Sequence, residues 1–196
     1  MFCLLKHEGR LKKIPVSSGL VVAIFGYADR PVAVAQSTMS VDQNSVTPFD
    51  DAHARVRALD PFCKQIVGTG LRRSATFAGL VDDLEHHNVI VYLSLDQSLP
   101  VRAALTFLVN TGQTTYVHVH IGPRLSLEQA TAAMAHELRH ALEIAGASPP
   151  VTNQHELQDL YRSIGFGVGA GEFESLAART TEHQVRQELS ISRRGE

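Results

Sequence analysis

The chain has 196 residues, 44% of them hydrophobic and 19% charged, which is enough for one ordinary core and argues against disorder. Its formal charge is -2 with a pI near 6.5. The lysines and arginines are scattered along the sequence. There is therefore no electrostatic footprint for nucleic acid, and no DNA or RNA partner is expected.

At the N-terminus, Lys6, Arg10, Lys12 and Lys13 precede the apolar run LVVAIFGYA (Leu20 to Ala28), and Ala33-Val34-Ala35 supplies a small-x-small site. These are the three parts of a secretory signal peptide, residues 1–35, with cleavage before Gln36. Export to a periplasmic or extracellular location follows. The competing reading is an uncleaved N-terminal membrane anchor, but Asp29 and Arg30 interrupt the run well short of the ~20 residues a span needs. Loss of the leader removes five of the 18 Lys+Arg and two of the 20 Asp+Glu, leaving a mature charge of -5. It also removes Cys3, so Cys63 stands alone and cannot form an intramolecular disulfide. In its context, ALDPFCKQIV, Cys63 reads as a buried small hydrophobe.

Residues 36–48, QSTMSVDQNSVTP, are polar and aperiodic and read as a flexible linker, which leaves residues 49–196 as a single domain. The spacing predicts a helix from Asp50 to Leu59, ended by Asp60-Pro61. A second helix, Ser74 to His87, has a Ser N-cap and apolar Phe77, Leu80, Val81 and Leu84 at helical spacing. Three β-like runs follow, Val89 to Leu95, Ala103 to Val109 and Thr114 to Ile121, the last two joined through Asn110-Thr111-Gly112-Gln113. They predict an antiparallel meander, and the fold class is α+β, a small antiparallel sheet of about three strands packed against helices. Ser126 and Gln129 form a capping box that opens a helix running to Ala145, stopped by Gly146 and the Pro149-Pro150 pair. Two more helices are expected, Gln154 to Ile164 and Phe173 to Leu189, with a loop GFGVGAG between them. That loop follows a helix and misses the G-x-G-x-x-G spacing, so it is not a phosphate cradle.

The central helix carries the chemistry. In MAHELRHALEIA, His136 and His140 are four apart, on one helical face, where both imidazoles reach a single cation. Neutral imidazoles suit Zn²⁺, one ion per chain, and Glu137, about 100° around the helix from His136, sits beside the metal as general base. The bland alternative is a solvated His/Glu face on a surface helix. His155-Glu156-Leu157-Gln158-Asp159 begins in the same way but lacks the second histidine, an internal control for how easily half the motif arises.

A sheet followed by a helix bearing HELRH resembles the zincin (HExxH) metallopeptidases. That resemblance implies a central motif helix, His136 and His140 as zinc ligands, Glu137 as the residue that activates water, and peptide hydrolysis. HELRHALEIA, LYRSIG (Leu160 to Gly165) and EFESLAA (Glu172 to Ala178) together also resemble a group of small exported bacterial proteins, over roughly Ser74 to Leu189, without bringing a substrate with them. The continuation H-x-x-G-x-x-H is absent, because residues 143 and 146 are Glu and Gly. In the glutamate-type zincins the third ligand is a carboxylate on a later helix, which makes Glu174 the first choice. Glu143 shares the helical face of the histidines but lies about 10 Å along the axis from His136, which suits orienting a histidine better than binding metal. Glu172 is the remaining rival.

The expected activity is zinc-dependent hydrolysis of a peptide or protein substrate. Tyr161, His155, His118 and His120 are unassigned candidates for an oxyanion donor. A catalytically inactive, zincin-like binding module of the cell envelope is the second reading, and a metal-free helical interaction domain the third.

Overall fold

The structure is a computed structural model that describes residues 21–23, 54–169 and 172–192. The proposed leader and linker fall outside these residues except for Val21–Ala23. In chain order the elements are β1 (Val21–Ala23), β2 (Val56–Ala58), α1 (Pro61–Arg73), α2 (Ala75–Glu85), β3 (Val89–Leu95), β4 (Ala103–Asn110), β5 (Thr115–Ile121) and α3 (Leu127–Ala145). They continue with α4 (Gln154–Ile164), β6 (Gly165–Gly169), β7 (Glu172–Ser175) and α5 (Leu176–Ser192). This is a mixed α+β architecture. No helix among the described residues is long and apolar enough to cross a membrane.

The three runs rich in β-branched residues are strands, but they do not form a meander. The five-stranded sheet has the order β1-β4-β5-β3-β2. Strands β4 and β5 form the expected antiparallel hairpin, whereas β3 pairs with the other edge of β5 in parallel, Val89 opposite Thr115 through Leu95 opposite Ile121. The expectation of an antiparallel sheet is corrected on this point. The segment between β3 and β4 carries the chain past the end of β5, so β3 and β4 flank it on opposite sides. Alternation places Val117, Val119 and Ile121 in the core, where α1, α2 and α3 pack, and His118 and His120 on the other face.

The helix expected over Asp50 to Leu59 is also corrected. Its described part contains β2, parallel to β3, with Val56 buried opposite Val91. Asp60-Pro61 does not end a helix there but starts one. Asp60 is the N-cap of α1, accepting from Cys63 N at 2.9 Å, and Pro61 occupies the first turn, where its missing N–H costs nothing. Cys63 is buried as expected, and burial together with the neighbouring Asp60 pushes its thiol far above the usual range. Helix α2 begins at its Ser74 cap, and α3 carries the complete Ser126/Gln129 capping box. The last helix starts later than expected, at Leu176. The glycine-rich segment is not a loop but β6, paired antiparallel with β7.

Asp60 joins two layers, since its second oxygen accepts from Leu95 N at 2.8 Å at the end of β3. Burial opposes its ionisation, but the N–H donors of Cys63 and Leu95 prevail and hold the carboxyl below its usual 3.8. A folded pKa below the unfolded one contributes stability above about pH 4, and that contribution is lost as pH falls through the folded value. Asp60→Asn can serve only one of the two amides. It should cost about 1 kcal/mol at pH 7, and the gap from the parent should close below about pH 4. Urea unfolding across that range measures it.

Candidate metal centre

Helix α3 is the most enclosed element of the molecule. It packs against the sheet, α1, α2 and α5, and His136, Glu137 and His140 are each 0% exposed. Its alanine-rich sequence allows that enclosure, because Ala130, Ala132, Ala133, Ala135 and Ala141 let neighbouring elements approach the backbone closely. The two imidazoles face one another, His136 Nε2 lying 3.0 Å from His140 Nε2.

Glu174 closes the triangle. Its Oε1 is 3.1 Å from His136 Nε2 and 3.7 Å from His140 Nε2, and the residue is 6% exposed. The expected third carboxylate is therefore beside the two histidines, but it is carried by β7 and not by the last helix. The position of β7 depends on a glycine. A Cβ on Gly165 would meet Glu174 O at 2.6 Å and Tyr161 O at 2.8 Å, so the close approach of β6 to the Glu174 backbone requires glycine there.

The outward ring nitrogens are held by further carboxylates. His140 Nδ1 donates to Glu143 Oε2 at 2.9 Å, and Glu143 Oε1 in turn accepts from Ser175 Oγ at 2.6 Å. Glu143 thus holds the His140 ring, and through Ser175 it is tied to the residue next to Glu174. On the other ring, His136 Nδ1 lies 3.3 Å from Glu182 Oε2, at an angle too oblique for a good hydrogen bond. Glu182 is fixed by Arg102 at 2.8 Å and Arg186 at 2.6 Å. Each carboxylate can only accept, so each favours a proton on Nδ1 of its histidine and leaves Nε2 as the position where a metal would replace a proton.

Sequence reasoning missed Glu182. A signal was available, because Ala178, Glu182, Val185 and Leu189 form the buried stripe of α5 at helical spacing, and a glutamate at an apolar position calls for a partner. The unassigned oxyanion candidates separate cleanly. His118 and His120 lie across the sheet and the His155 side chain is 78% exposed, whereas Tyr161 is buried with its ring edge-on to His140, centroids 5.3 Å apart. Nothing is described of the Glu172 side chain.

Electrostatically the centre is short of positive charge. Burial disfavours the protonated form of His136, but the carboxylates of Glu174 and Glu182 outweigh it and push the ring up to about 9. Burial holds His140 below its usual range despite Glu143. Burial also pushes Glu137 up to about 8, and both its carboxylate oxygens are buried without a hydrogen-bond partner.

These residues fit a metal ion. His136, His140 and Glu174 each offer one ligand atom, all within 4.8 Å of one another. Tetrahedral coordination with bonds of about 2.0–2.1 Å sets ligand atoms about 3.3 Å apart, and the observed separations are 3.0, 3.1 and 3.7 Å. Comparison with known proteins finds no matching family model, no matching curated protein and no matching solved structure. The geometry of the site therefore carries the functional argument.

Two tiers of effect follow for a purified, untagged chain titrated with Zn²⁺ by calorimetry. His136→Ala and His140→Ala should abolish binding, while Glu143→Gln and Glu182→Gln should weaken it about 10–100-fold. The thermal midpoint should rise with metal in the parent and stay fixed in the two alanine variants.

Proposed function

We propose that the chain is a zinc-dependent hydrolase of the zincin type that cleaves peptide bonds in an exported setting. The observation that carries this reading is Glu137. It stands next to His136 on α3, and among the described residues neither of its buried carboxylate oxygens has a hydrogen-bond partner. A residue needed only for packing would not bring an unsatisfied carboxylate into the core, at a cost of several kcal/mol.

The ligand set of two imidazoles and one carboxylate, with a position left for water, suits Zn²⁺, which when bound makes water more acidic and polarises a carbonyl. The work of the chain is to hold and move a proton. Glu137 accepts a proton from the attacking water at one carboxylate oxygen and returns it to the leaving amine. Burial, which raises its proton affinity, suits it to both halves of that task. Glu143 and Glu182 keep the histidines in the Nδ1–H tautomer. Tyr161, whose hydroxyl donates to His140 O at 3.4 Å and whose ring lies edge-on to that of His140, braces the helix beside the cluster. Export rests on the leader pattern of residues 1–35.

One observation favours the second reading, a metal-binding module without turnover: the complete enclosure of His136, Glu137 and His140. Glu137→Gln separates the two. In a hydrolase it should lower cleavage of a quenched-fluorescence peptide library by about 10²–10⁴-fold while the bound zinc, measured by mass spectrometry of the metal, stays at one per chain. A zinc-loaded parent that cleaves no peptide leaves the binding module standing.

A further inference from the structure

Outside the carboxyl ends of the parallel strands β3 and β5, the segment leading from β3 to β4 and the turn leading into α3 enclose a cavity of about 440 Å³. In sheets with parallel strands, crevices in this position are where small molecules bind. The walls are fixed. Gly122 N donates to Arg102 O at 2.9 Å, and a Cβ on Gly122 would meet Val101 O at 2.5 Å, so glycine is required where the two segments meet. Asp96 Oδ1 accepts from Ser98 N at 2.8 Å and from Ser98 Oγ at 2.7 Å, which pins the other wall. The lining combines apolar surface from Leu99, Pro100, Pro123 and Leu125 with the guanidinium groups of Arg102 and Arg124, and it contains no acidic side chain. Arg124 is exposed and, among the described residues, has no ion-pair partner. Arg102 donates from Nη1 to Glu182 Oε1 at 2.8 Å.

We propose that this cavity is a binding site for a small organic anion, an apolar body bearing a carboxylate, and that its occupancy is felt at the metal centre through Arg102 and Glu182. A carboxylate matches the fork of a guanidinium, and the apolar walls accept the rest of the ligand. The link to the centre is short. Glu182 Oε1 is shared by Arg102 and Arg186, and its other oxygen lies 3.3 Å from His136 Nδ1. An anion that takes up the charge of Arg102 leaves Glu182 with Arg186 alone. The carboxylate facing His136 is then less neutralised, and a cation held by His136, His140 and Glu174 is bound more tightly. The coupling is reciprocal, so zinc raises the affinity for the anion by the same factor. The site thereby ties metal loading to the local concentration of an organic acid, whatever reaction the centre carries out.

Calorimetry on the purified, untagged full chain tests both parts, with benzoate and hexanoate as probes and benzamide and hexanamide as their uncharged counterparts. Each anion should bind at one per chain and about tenfold more tightly than its amide. Arg124→Gln should weaken anion binding about tenfold, Arg124→Lys should restore part of it, and neither should move zinc affinity in the absence of anion. In saturating benzoate the parent should bind zinc about fivefold more tightly. Arg102→Gln should abolish that gain, with the thermal midpoint showing that the variant is folded. Anions that bind no better than their amides, or that bind equally to the parent and Arg124→Gln, overturn the site. Binding that depends on Arg124 but leaves zinc affinity unchanged overturns the link and keeps the site. Anion binding is read without metal and without peptide, so a zinc-loaded chain that cleaves nothing defeats the hydrolase reading and leaves this one standing.

Discussion

Six ionisable side chains, two imidazoles and four carboxylates, meet around about two turns of α3, and the balance of charge among them governs the rest of the structure. Arg102 and Arg186 offset Glu182, and Arg139 lies 3.8 Å from Glu143. Glu137 and Glu174 have no such arginine. Two carboxylates in an enclosed site would each cost several kcal/mol if left ionised and unpaired. A cation held by His136, His140 and Glu174 would balance both. Protons on His136 and Glu137 are the substitute available to the chain alone, so metal and protons compete for the centre.

The same constraint explains why the site draws on three distant segments. A helix can place two imidazoles one turn apart, but a third ligand on that helix would lie too far along the axis to converge, as Glu143 does. The carboxylate must arrive from elsewhere, and a hairpin strand delivers it. Gly165 lets β6 lie close against the Glu174 backbone, and Ser175, which accepts from Ala178 N at the start of α5, also donates to Glu143. One residue thus joins the end of β7, the cap of α5 and the carboxylate that orients His140. Glu182 then returns from α5 to the other histidine, so both rings are braced through the same C-terminal segment.

Where local chemistry decides, the sequence is readable. The Ser74 cap, the Ser126/Gln129 box, the alternation of β5 and the i, i+4 histidines on α3 are all short-range features, and the structure contains each of them. Glu174 was singled out through resemblance and is found beside both rings, though on a strand. What is not local is harder to read. The parallel pairing of β3 with β5 depends on where the segment after Leu95 crosses, and β2 exists because Val56 is buried against β3 and not because of intrinsic preference. Asp60-Pro61 supports either the end or the start of a helix, and only the Leu95 amide on the second carboxylate oxygen decides between them. The glycine-rich stretch resembles a loop because glycine has poor strand propensity, yet the tight approach to β7 selects glycine.

The elements that meet at the cluster differ in how firmly they are held. β4 is anchored to β5 along seven residue pairs, and residues 130–138 of α3 are buried without interruption. The element between them, β7, is only four residues long and follows a glycine-rich partner strand. Any adjustment at the cluster would therefore fall on the hairpin that carries Glu174, while the histidines and Glu137 stay fixed on their helix.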